Sequence, residues 1–287
     1  MVEFIMTIGL PASSKTTWAK AQEDYYWLSS DEIRKATQIP NNDVFFVMNM
    51  RAKQLLEEGK NVIYDATNLW RKYRMHTLQE LTSLSSSVYF RAEVFLQPYE
   101  VLFERNAKRG EGERVPVETI QKFAVAFDFP QMFEGWDEIN INKSSKHQLF
   151  NFGKCTNFDQ KNPHHELTLD KHLWKTVDLA EEHHLSPLMQ TAALYHDVGK
   201  VYCQTISEDG VAHYYGHEHI SAYLYAMHEY TQNWYTWNEF LDILFIINYH
   251  MRPYQWTEKS YQKDLQLFGE RRVELLRQFH YCDEAAH

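Results

Sequence analysis

The sequence predicts an α/β domain with a parallel sheet and helices on both faces, followed by an all-α domain. In the first half of the 287 residues, short apolar runs alternate with helical patterns, which is typical of a parallel sheet. The alternation lapses in a polar stretch from about 140 to 165, where we expect a linker. After residue 168 the pattern is almost entirely helical. We therefore expect one domain at 1–148 and a second at 149–287.

The individual strands and helices are predicted from the local pattern of apolar and polar residues. Strand-like apolar runs occupy 3–9, 25–29, 61–65 and 88–96. The clearest helix of the first half, 43–58, is followed by Gly59, because glycine readily adopts the left-handed conformation that ends a helix. The second half predicts a short hairpin around 201–215 and helices at 168–184, 187–197, 217–231, 237–250 and 270–285.

Charge, hydropathy and cysteine content limit the partners and the compartment expected for this protein. The formal net charge of −10 argues against non-specific coating of nucleic acid, but it allows a local basic cleft. The chain has no apolar run near 18 residues and no signal-peptide pattern, so no membrane partner is expected. Three scattered cysteines favour a reducing compartment, and hence the cytoplasm.

Residues 9–16 read GLPASSKT directly after the first apolar run. This is close to the phosphate-binding loop, whose backbone N–H groups surround a phosphate chain at the start of a helix. Lys15 is predicted to reach the terminal phosphates of ATP, and Thr16 to bind Mg²⁺ through its hydroxyl. The loop departs from the usual pattern at Ala12 and Ser14, where glycine supplies unusual backbone angles.

Charged residues after the next strands support this interpretation. Asp31 follows the second strand, where a carboxylate can accept the proton of an attacking hydroxyl, although a helix cap would also explain it. Arg34 shares its helix face and is a candidate for binding a substrate phosphate. The third strand ends at Asp65. Arginines after the fourth strand suggest a lid over the ATP phosphates, although a solvated helix face explains each one equally well: Arg105, Arg109 and Arg114.

Together these pieces resemble the kinase domain of bacteriophage-type polynucleotide kinases, over about the first 140 residues. The matching segments are 9–17, 30–34, 65–68, 105–116 and 133–137. That family phosphorylates 5′-hydroxyl ends of RNA or DNA with ATP. The resemblance implies that Asp31 is the base, that Arg34 contacts the phosphate next to the attacked sugar, and that Arg109 is the lid arginine. The resemblance also implies contacts to the nucleotide from Gly9, Ser13, Ser14, Lys15, Thr16, Thr17 and Arg105.

The second half contains thirteen of the 15 histidines and a second set of chemical groups. His172, the adjacent pair His196 and Asp197, and Asp283 offer two nitrogen and two oxygen donors. That donor set suits Mn, Fe, Co, Ni, Cu or Zn better than Mg. Lys200 follows the His-Asp pair and is a candidate for holding phosphate. An apolar stripe on the terminal helix is expected to hold Asp283 against the pair.

This half resembles the HD phosphohydrolase domain over roughly 164–285. The segments 215–222, 248–250 and 282–285 are similar to the subgroup attached to bacterial tRNA nucleotidyltransferases. The resemblance implies a metal site formed by His172, His196, Asp197 and Asp283. It makes His217 and His250 candidate ligands of a second metal or contacts to phosphate. His164 and His165 are expected at the surface.

The two halves together predict an enzyme that heals nucleic-acid ends. The kinase half would phosphorylate 5′-hydroxyl ends with ATP and Mg²⁺, and the HD half would use a divalent transition metal to remove 2′,3′-cyclic, 2′- or 3′-phosphate. RNA is favoured over DNA, and an RNA ligase is an open possibility as a partner. Two alternatives remain: a small-metabolite or nucleoside kinase fused to an HD nucleotide phosphohydrolase, and a nucleotide sensor with a degenerate loop.

Overall fold

The computed structural model describes residues 1–37, 39–84, 87–143, 150–163, 166–229 and 234–287. The chain divides into two compact units, one of 1–123 and 130–145, the other of 124–129 and 146–287. The expected boundary between 148 and 149 lies outside the described residues, as do His164 and His165. The sequence analysis placed no part of the second unit before residue 149.

The first unit is built on a five-stranded parallel sheet with the strand order β2-β3-β1-β4-β5. Its strands are β1 (Val2–Gly9), β2 (Tyr26–Ser29), β3 (Val62–Asp65), β4 (Val88–Leu96) and β5 (Glu138–Lys143). Strand β1 is buried on both faces, as expected for a sheet covered by helices on each side. The four predicted strands are present, each within one residue of its predicted bounds.

Strand β5 was not predicted, and the expectation of a linker from about 140 is wrong for 140–143. The strand lies at an end of the sheet and alternates polar with apolar residues. Asn140 donates to the buried carboxylate of Glu93 at 3.2 Å, so a polar side chain is used here for strand pairing. Such a short polar strand lacks the apolar run by which the other four were recognised. The arginines of the predicted lid therefore follow the fourth of five strands.

Six helices connect these strands, together with a short 3₁₀ helix at Met132–Glu134. Helix α3 is followed by Gly59 with φ of 78°, as the sequence predicted for a helix end. The core includes Phe4, Ile5 and Ile63, which are fully buried. The helices are α1 (Lys15–Lys20), α2 (Ser30–Thr37), α3 (Asn41–Glu57), α4 (Arg71–Thr82), α5 (Tyr99–Ala107) and α6 (Val117–Ala124).

The second unit is helical, with one two-stranded hairpin of β6 (Thr205–Ile206) and β7 (Ala212–His213). The five predicted helices and the hairpin are present; the polar helix α12 was not predicted. No helix of the described residues is long and apolar enough to cross a membrane. The helices are α7 (Leu169–Glu182), α8 (Pro187–Tyr195), α9 (Lys200–Cys203), α10 (His217–Glu229), α11 (Trp237–Tyr249), α12 (Glu258–Phe268) and α13 (Glu270–Ala285), with 3₁₀ helices at Phe152–Lys154 and Pro253–Gln255.

Two segments outside these helices complete the second unit. The segment 150–163 packs on the helices, since the ring of Phe152 lies 5.2 Å from that of Tyr195, so the expectation of a linker is also wrong here. The segment 124–129 packs through Phe127, whose ring lies 5.1 Å from that of Tyr223. Aromatic contacts with buried tyrosines account for both cases.

Candidate active sites

The loop between β1 and α1 adopts the backbone of a phosphate-binding loop without the usual glycines. Ala12 has φ of 66° and Ser14 has φ of 77°, so both lie in the left-handed region. This conformation costs a non-glycine residue about 1–2 kcal/mol, and the loop retains it at the two positions where glycine is usual. Gly9 cannot carry a side chain, because a Cβ would lie 2.8 Å from the carbonyl oxygen of Phe95.

Lys15 is buried in this loop. Its ammonium group donates to the carbonyl oxygen of Leu10 at 2.8 Å and to the hydroxyl of Ser13 at 3.3 Å. The pKa of Lys15 is lowered to about 8, chiefly by burial and also by Arg109, whereas Asp65 and Asp31 oppose the shift. The structure thus brings four of the charged groups singled out in the sequence into one electrostatic neighbourhood.

Asp65, at the end of β3, is the residue of this site that the sequence analysis left without a role. Its carboxylate accepts hydrogen bonds from Thr7 at 3.0 Å, from Thr16 at 2.8 Å and from the indole of Trp27 at 3.0 Å. In P-loop enzymes Mg²⁺ is held by the loop threonine and an aspartate of this kind. The available signal was an apolar strand ending in an acid, but only the pairing of β1 with β3 brings Asp65 to Thr16.

Asp31 lies in the first turn of α2 and Arg34 one turn later on the same face, as their spacing predicted. The guanidinium of Arg34 donates to the carboxylate of Asp31 at 2.8 Å, and the side chains are 35% and 76% exposed. Strand β2, which precedes them, is the neighbour of β3 in the sheet. The candidate base and the candidate phosphate-binding group therefore lie side by side in an accessible position.

The three arginines of the predicted lid differ in what they contact. Arg105 donates to the hydroxyl of Ser14 at 2.8 Å, and Arg109 lies close enough to depress the pKa of Lys15. Arg114 instead donates to the carbonyl oxygen of Ala107 at 2.7 Å, within its own loop. Thr17 is exposed in the first turn of α1. The geometry favours Arg105 and Arg109, rather than Arg114, as contacts to ATP.

We expect Arg109→Ala to lower the kinase rate about 10²-fold, since one donor to transition-state charge is lost. Arg109→Lys should restore little, because an ammonium cannot bind phosphate in a bidentate manner. Arg114→Ala serves as the matched control and should stay within about threefold of wild type. Steady-state kinetics with ATP measure all three, and equal losses in both alanine variants would contradict the assignment.

In the second unit, the four predicted metal ligands meet at one buried point. The Nε2 atoms of His172 and His196 are 3.2 Å apart, and each lies 3.2 Å from a carboxylate oxygen of Asp283. Oδ2 of Asp197 lies 3.4 Å from both nitrogens. Bonds of about 2.0–2.3 Å to one ion place neighbouring ligand atoms about 3–3.5 Å apart, so the spacing fits a metal ion.

Asp197 also faces a second group of ligands with its other oxygen. Its Oδ1 lies 2.9 Å from Nε2 of His217 and 3.5 Å from Nε2 of His250. Those two nitrogens are 3.1 Å apart. His217 begins α10 and His250 caps α11, so two further helices contribute to the cluster. Asp197 is therefore placed to bridge two metal ions.

The backbone fixes the orientation of the imidazoles. Each Nδ1 atom faces a carbonyl oxygen, so Nδ1 donates and Nε2 carries the lone pair that faces the cluster. Two lone pairs about 3 Å apart repel each other unless a cation or a proton lies between them. The donor set thus fits a bound metal ion. The carbonyl partners are Ala286 for His172 at 3.5 Å and, at 2.8 Å, Ala193 for His196, Tyr214 for His217 and Ile247 for His250.

Electrostatics of the metal-free cluster also favour positive charge at its centre. Burial alone would lower the pKa of His196, but the carboxylates of Asp197 and Asp283 outweigh it and raise the pKa to about 10. Burial would raise the pKa of Asp283, yet His196 and His172 hold it well below its usual range. Protons therefore occupy the cluster when the metal does not.

Lys200 and Gly199 follow the His-Asp pair. The ammonium of Lys200 lies 2.6 Å from Oδ2 of Asp197, the oxygen that faces His172 and His196. Gly199 has φ of −66° and precedes α9, so its backbone does not require glycine. Its role is close packing: a Cβ there would lie 2.2 Å from the carbonyl oxygen of His217.

Metal affinity should rise with pH, because the metal displaces protons from imidazoles. Against the effect of burial, the carboxylates of Asp197 and Asp283 raise the pKa of His196 to about 10, so this ligand holds a proton at neutral pH; they also raise the pKa of His172, whereas burial lowers the pKa of His250. The aspartates stay ionised throughout. We expect affinity to fall at least about tenfold per pH unit between pH 8 and 6. Zn²⁺ or Mn²⁺ titration by calorimetry measures this, and a pH-independent affinity would contradict it.

Comparison with known proteins agrees with the division into an N-terminal α/β unit and a C-terminal helical unit. Residues 4–130 match the family model of the AAA domain, and residues 169–285 match that of the HD domain. The chain is thus a P-loop kinase-like domain followed by an HD domain, the first implying ATP and Mg²⁺ and the second a metal ion. A sequence comparison with curated proteins gave no significant match.

Three solved structures are similar in fold, and each alignment covers 50% of this chain. One is described as a kinase, from Chloroflexus aurantiacus, with 16% identity over 85% of its own length and a TM-score of 0.42. A sugar kinase from Janibacter sp. has 20% identity over 86% and a TM-score of 0.37. A gluconokinase from Sinorhizobium meliloti has 17% identity over 83% and a TM-score of 0.37. Similarity at this level carries no information on the acceptor.

Proposed function

We propose that this chain, a P-loop kinase-like domain followed by an HD domain, heals both ends of broken RNA. The observation that carries the proposal is the pair of Asp31 and Arg34, joined at 2.8 Å on one accessible face of α2. A base next to a phosphate-binding guanidinium suits an acceptor with a hydroxyl and a phosphate a few bonds apart, as in a 5′-terminal nucleotide. A simple sugar offers no phosphate to Arg34.

In the kinase step, Asp31 accepts the proton of the 5′-hydroxyl while the hydroxyl oxygen attacks the γ-phosphorus of ATP. The bond to the β,γ-bridging oxygen breaks and ADP leaves. Lys15 and Arg109 stabilise the charge of the transferring phosphoryl group. The side chains of Thr16 and Asp65, already 2.8 Å apart, are the candidate ligands of the accompanying Mg²⁺.

In the HD step, His172, His196, Asp197 and Asp283 would hold one metal ion, and Asp197, His217 and His250 a second. A divalent ion held there lowers the pKa of bound water and polarises a phosphate oxygen. Backbone carbonyls accept from Nδ1 of His196, His217 and His250, which turns each Nε2 atom toward the metal positions. Lys200, adjacent to Asp197, contributes positive charge where a phosphate would bind.

The test uses the full chain, ATP, Mg²⁺, Mn²⁺ and an RNA with a 5′-hydroxyl and a 2′,3′-cyclic phosphate. We expect a 5′-phosphate and a phosphate-free 3′ end, identified by mass spectrometry. Parallel reactions contain the DNA equivalent, free nucleosides, and gluconate as a sugar acid. Preferential phosphorylation of a nucleoside or sugar acid would replace the proposal by a small-molecule kinase, and ATP binding without transfer to any acceptor would favour a sensor.

A further inference from the structure

Three aromatic side chains next to the kinase site have no part in the mechanism above. Trp70 is 42% exposed and Tyr73 is 64% exposed. The ring of Trp70 lies 6.1 Å from that of Tyr73 and 6.0 Å from that of Phe123, nearly perpendicular to both. We call Trp70, Tyr73 and Phe123 the aromatic platform. Aromatic rings grouped at the surface indicate a binding site more than a single exposed one does.

The surroundings of the platform are basic, although the chain as a whole is acidic. Residues 70–74 read WRKYR, and no acidic residue occurs from 68 to 79. In the sequence Arg71 and Lys72 stand between the two exposed aromatic residues, and Lys122 is adjacent to Phe123 in α6. Lys72 and Lys122 are exposed, whereas the guanidinium of Arg71 lies over the ring of Phe133 at 5.9 Å. Cations interleaved with aromatic residues are the pattern by which proteins hold single-stranded nucleic acid, with charge on the backbone and rings on the bases.

The strand order places the platform on the acceptor side of the kinase site. Trp70 ends the loop that follows β3, and β3 lies between β1 and β2 in the sheet. The loops after β2 and β3 are therefore on one side of the phosphate-binding loop, and the arginines after β4 are on the other. Asp31 and Arg34 follow β2, so Trp70 and Tyr73 share their side, and Phe123 of α6 packs against Trp70 there.

Hydrogen bonds of the buried Arg74 hold the loop that carries Trp70. Arg74 is fully buried and pairs with Glu134 through two hydrogen bonds of 2.8 and 2.7 Å. A further guanidinium nitrogen donates to the carbonyl oxygens of Asn68 at 3.0 Å and Leu69 at 2.9 Å. This interaction fixes the loop immediately before Trp70. Rings that are already ordered lose little conformational entropy when a ligand stacks on them.

We propose that the aromatic platform stacks the nucleobases of a single-stranded RNA whose 5′-hydroxyl end lies at Asp31 and Arg34. The exposed side chains of Lys72 and Lys122 would contact its phosphate backbone. The inference rests on the proposed function and deepens it, since it makes the acceptor a chain of several nucleotides. Stacking is tolerant of base identity, so the kinase would accept ends of many sequences.

The test compares wild type with Trp70→Ala, Tyr73→Ala and, as a matched control, Trp174→Ala, which removes an exposed tryptophan of α7. The acceptors are a nucleoside 3′-monophosphate, a ten-nucleotide RNA, and the same RNA with abasic sites after its first nucleotide. We expect Trp70→Ala to raise KM for the intact RNA about tenfold or more, with kcat nearly unchanged. Trp70→Phe should retain most of the affinity.

The abasic RNA and the mononucleotide isolate the stacking contribution. Neither should distinguish Trp70→Ala from wild type, because neither carries a base beyond the first nucleotide, and the platform is expected to stack the bases that follow it. An equal rise in KM for all three acceptors, no rise for the intact RNA, or the same rise in Trp174→Ala would overturn the inference. Should Trp70→Ala fail to fold, Tyr73→Ala, which removes a more exposed ring, answers the same question.

A second measurement separates this inference from the proposed function. Fluorescence anisotropy follows binding of the ten-nucleotide RNA, labelled at its 3′ end, without ATP. If no nucleic acid is phosphorylated but wild type binds this RNA about tenfold or more tightly than Trp70→Ala does, the proposed function fails and the platform stands. If phosphorylation proceeds but anisotropy is the same for both, the platform fails and the proposed function stands.

Discussion

Asp197→Asn is expected to abolish metal-dependent phosphate release and to reduce the metal content of the purified protein from two ions to none. The reason is geometric: Oδ2 of Asp197 faces His172 and His196, and Oδ1 faces His217 and His250. An amide retains the shape but removes the charge from both positions. Loss of a ligand shared by two ions should lower the rate by at least about 10²-fold. Phosphate release and elemental analysis measure the two effects.

Two variants make this result specific. Asp178→Asn changes an exposed aspartate of α7 and should leave both measurements unchanged. His217→Ala removes a ligand of only the second position, so one ion should remain. The kinase rate of each preparation reports whether the first unit is folded. If Asp197→Asn keeps both ions, the bridging role is excluded.

Asp31→Asn should lower the rate of 5′ phosphorylation by about 10²–10⁴-fold, the range for removing a general base. Asparagine keeps the size of the side chain and a hydrogen-bond acceptor for Arg34, but it cannot take up the proton. ATP affinity should change little, because Asp31 lies on the acceptor side. Single-turnover kinetics with saturating ATP measure the chemical step directly.

Lys15→Met provides the companion measurement. It removes a charge that contacts the phosphates, so both ATP affinity and rate should fall. Glu32→Gln, next to Asp31 and exposed, is the matched acidic control. Near-normal phosphorylation by Asp31→Asn would exclude its role as the base, and an equal loss in Glu32→Gln would indicate a general effect of charge on α2.

The local motifs were readable from the sequence because each depends on residues close together in the chain. An apolar strand, a loop with Lys15 and Thr16, and a following helix form one continuous segment, and the fold class that this segment predicts is confirmed. The His-Asp pair at 196–197 is similarly local, and the HD domain it predicts is confirmed. The roles of the individual site residues stay predictions.

Long-range pairing decided what the sequence left open. Asp65 reaches Thr16 only because β3 pairs with β1, and the polar strand β5 exists only because β4 supplies its partner. The bridging position of Asp197 requires five helix ends, from α7, α8, α10, α11 and α13, to meet at one point. Ala12 and Ser14 hold left-handed backbone angles that their own side chains disfavour. Local propensity fixes the elements of this chain, but only burial and hydrogen bonding between distant segments fix which of its charged groups meet.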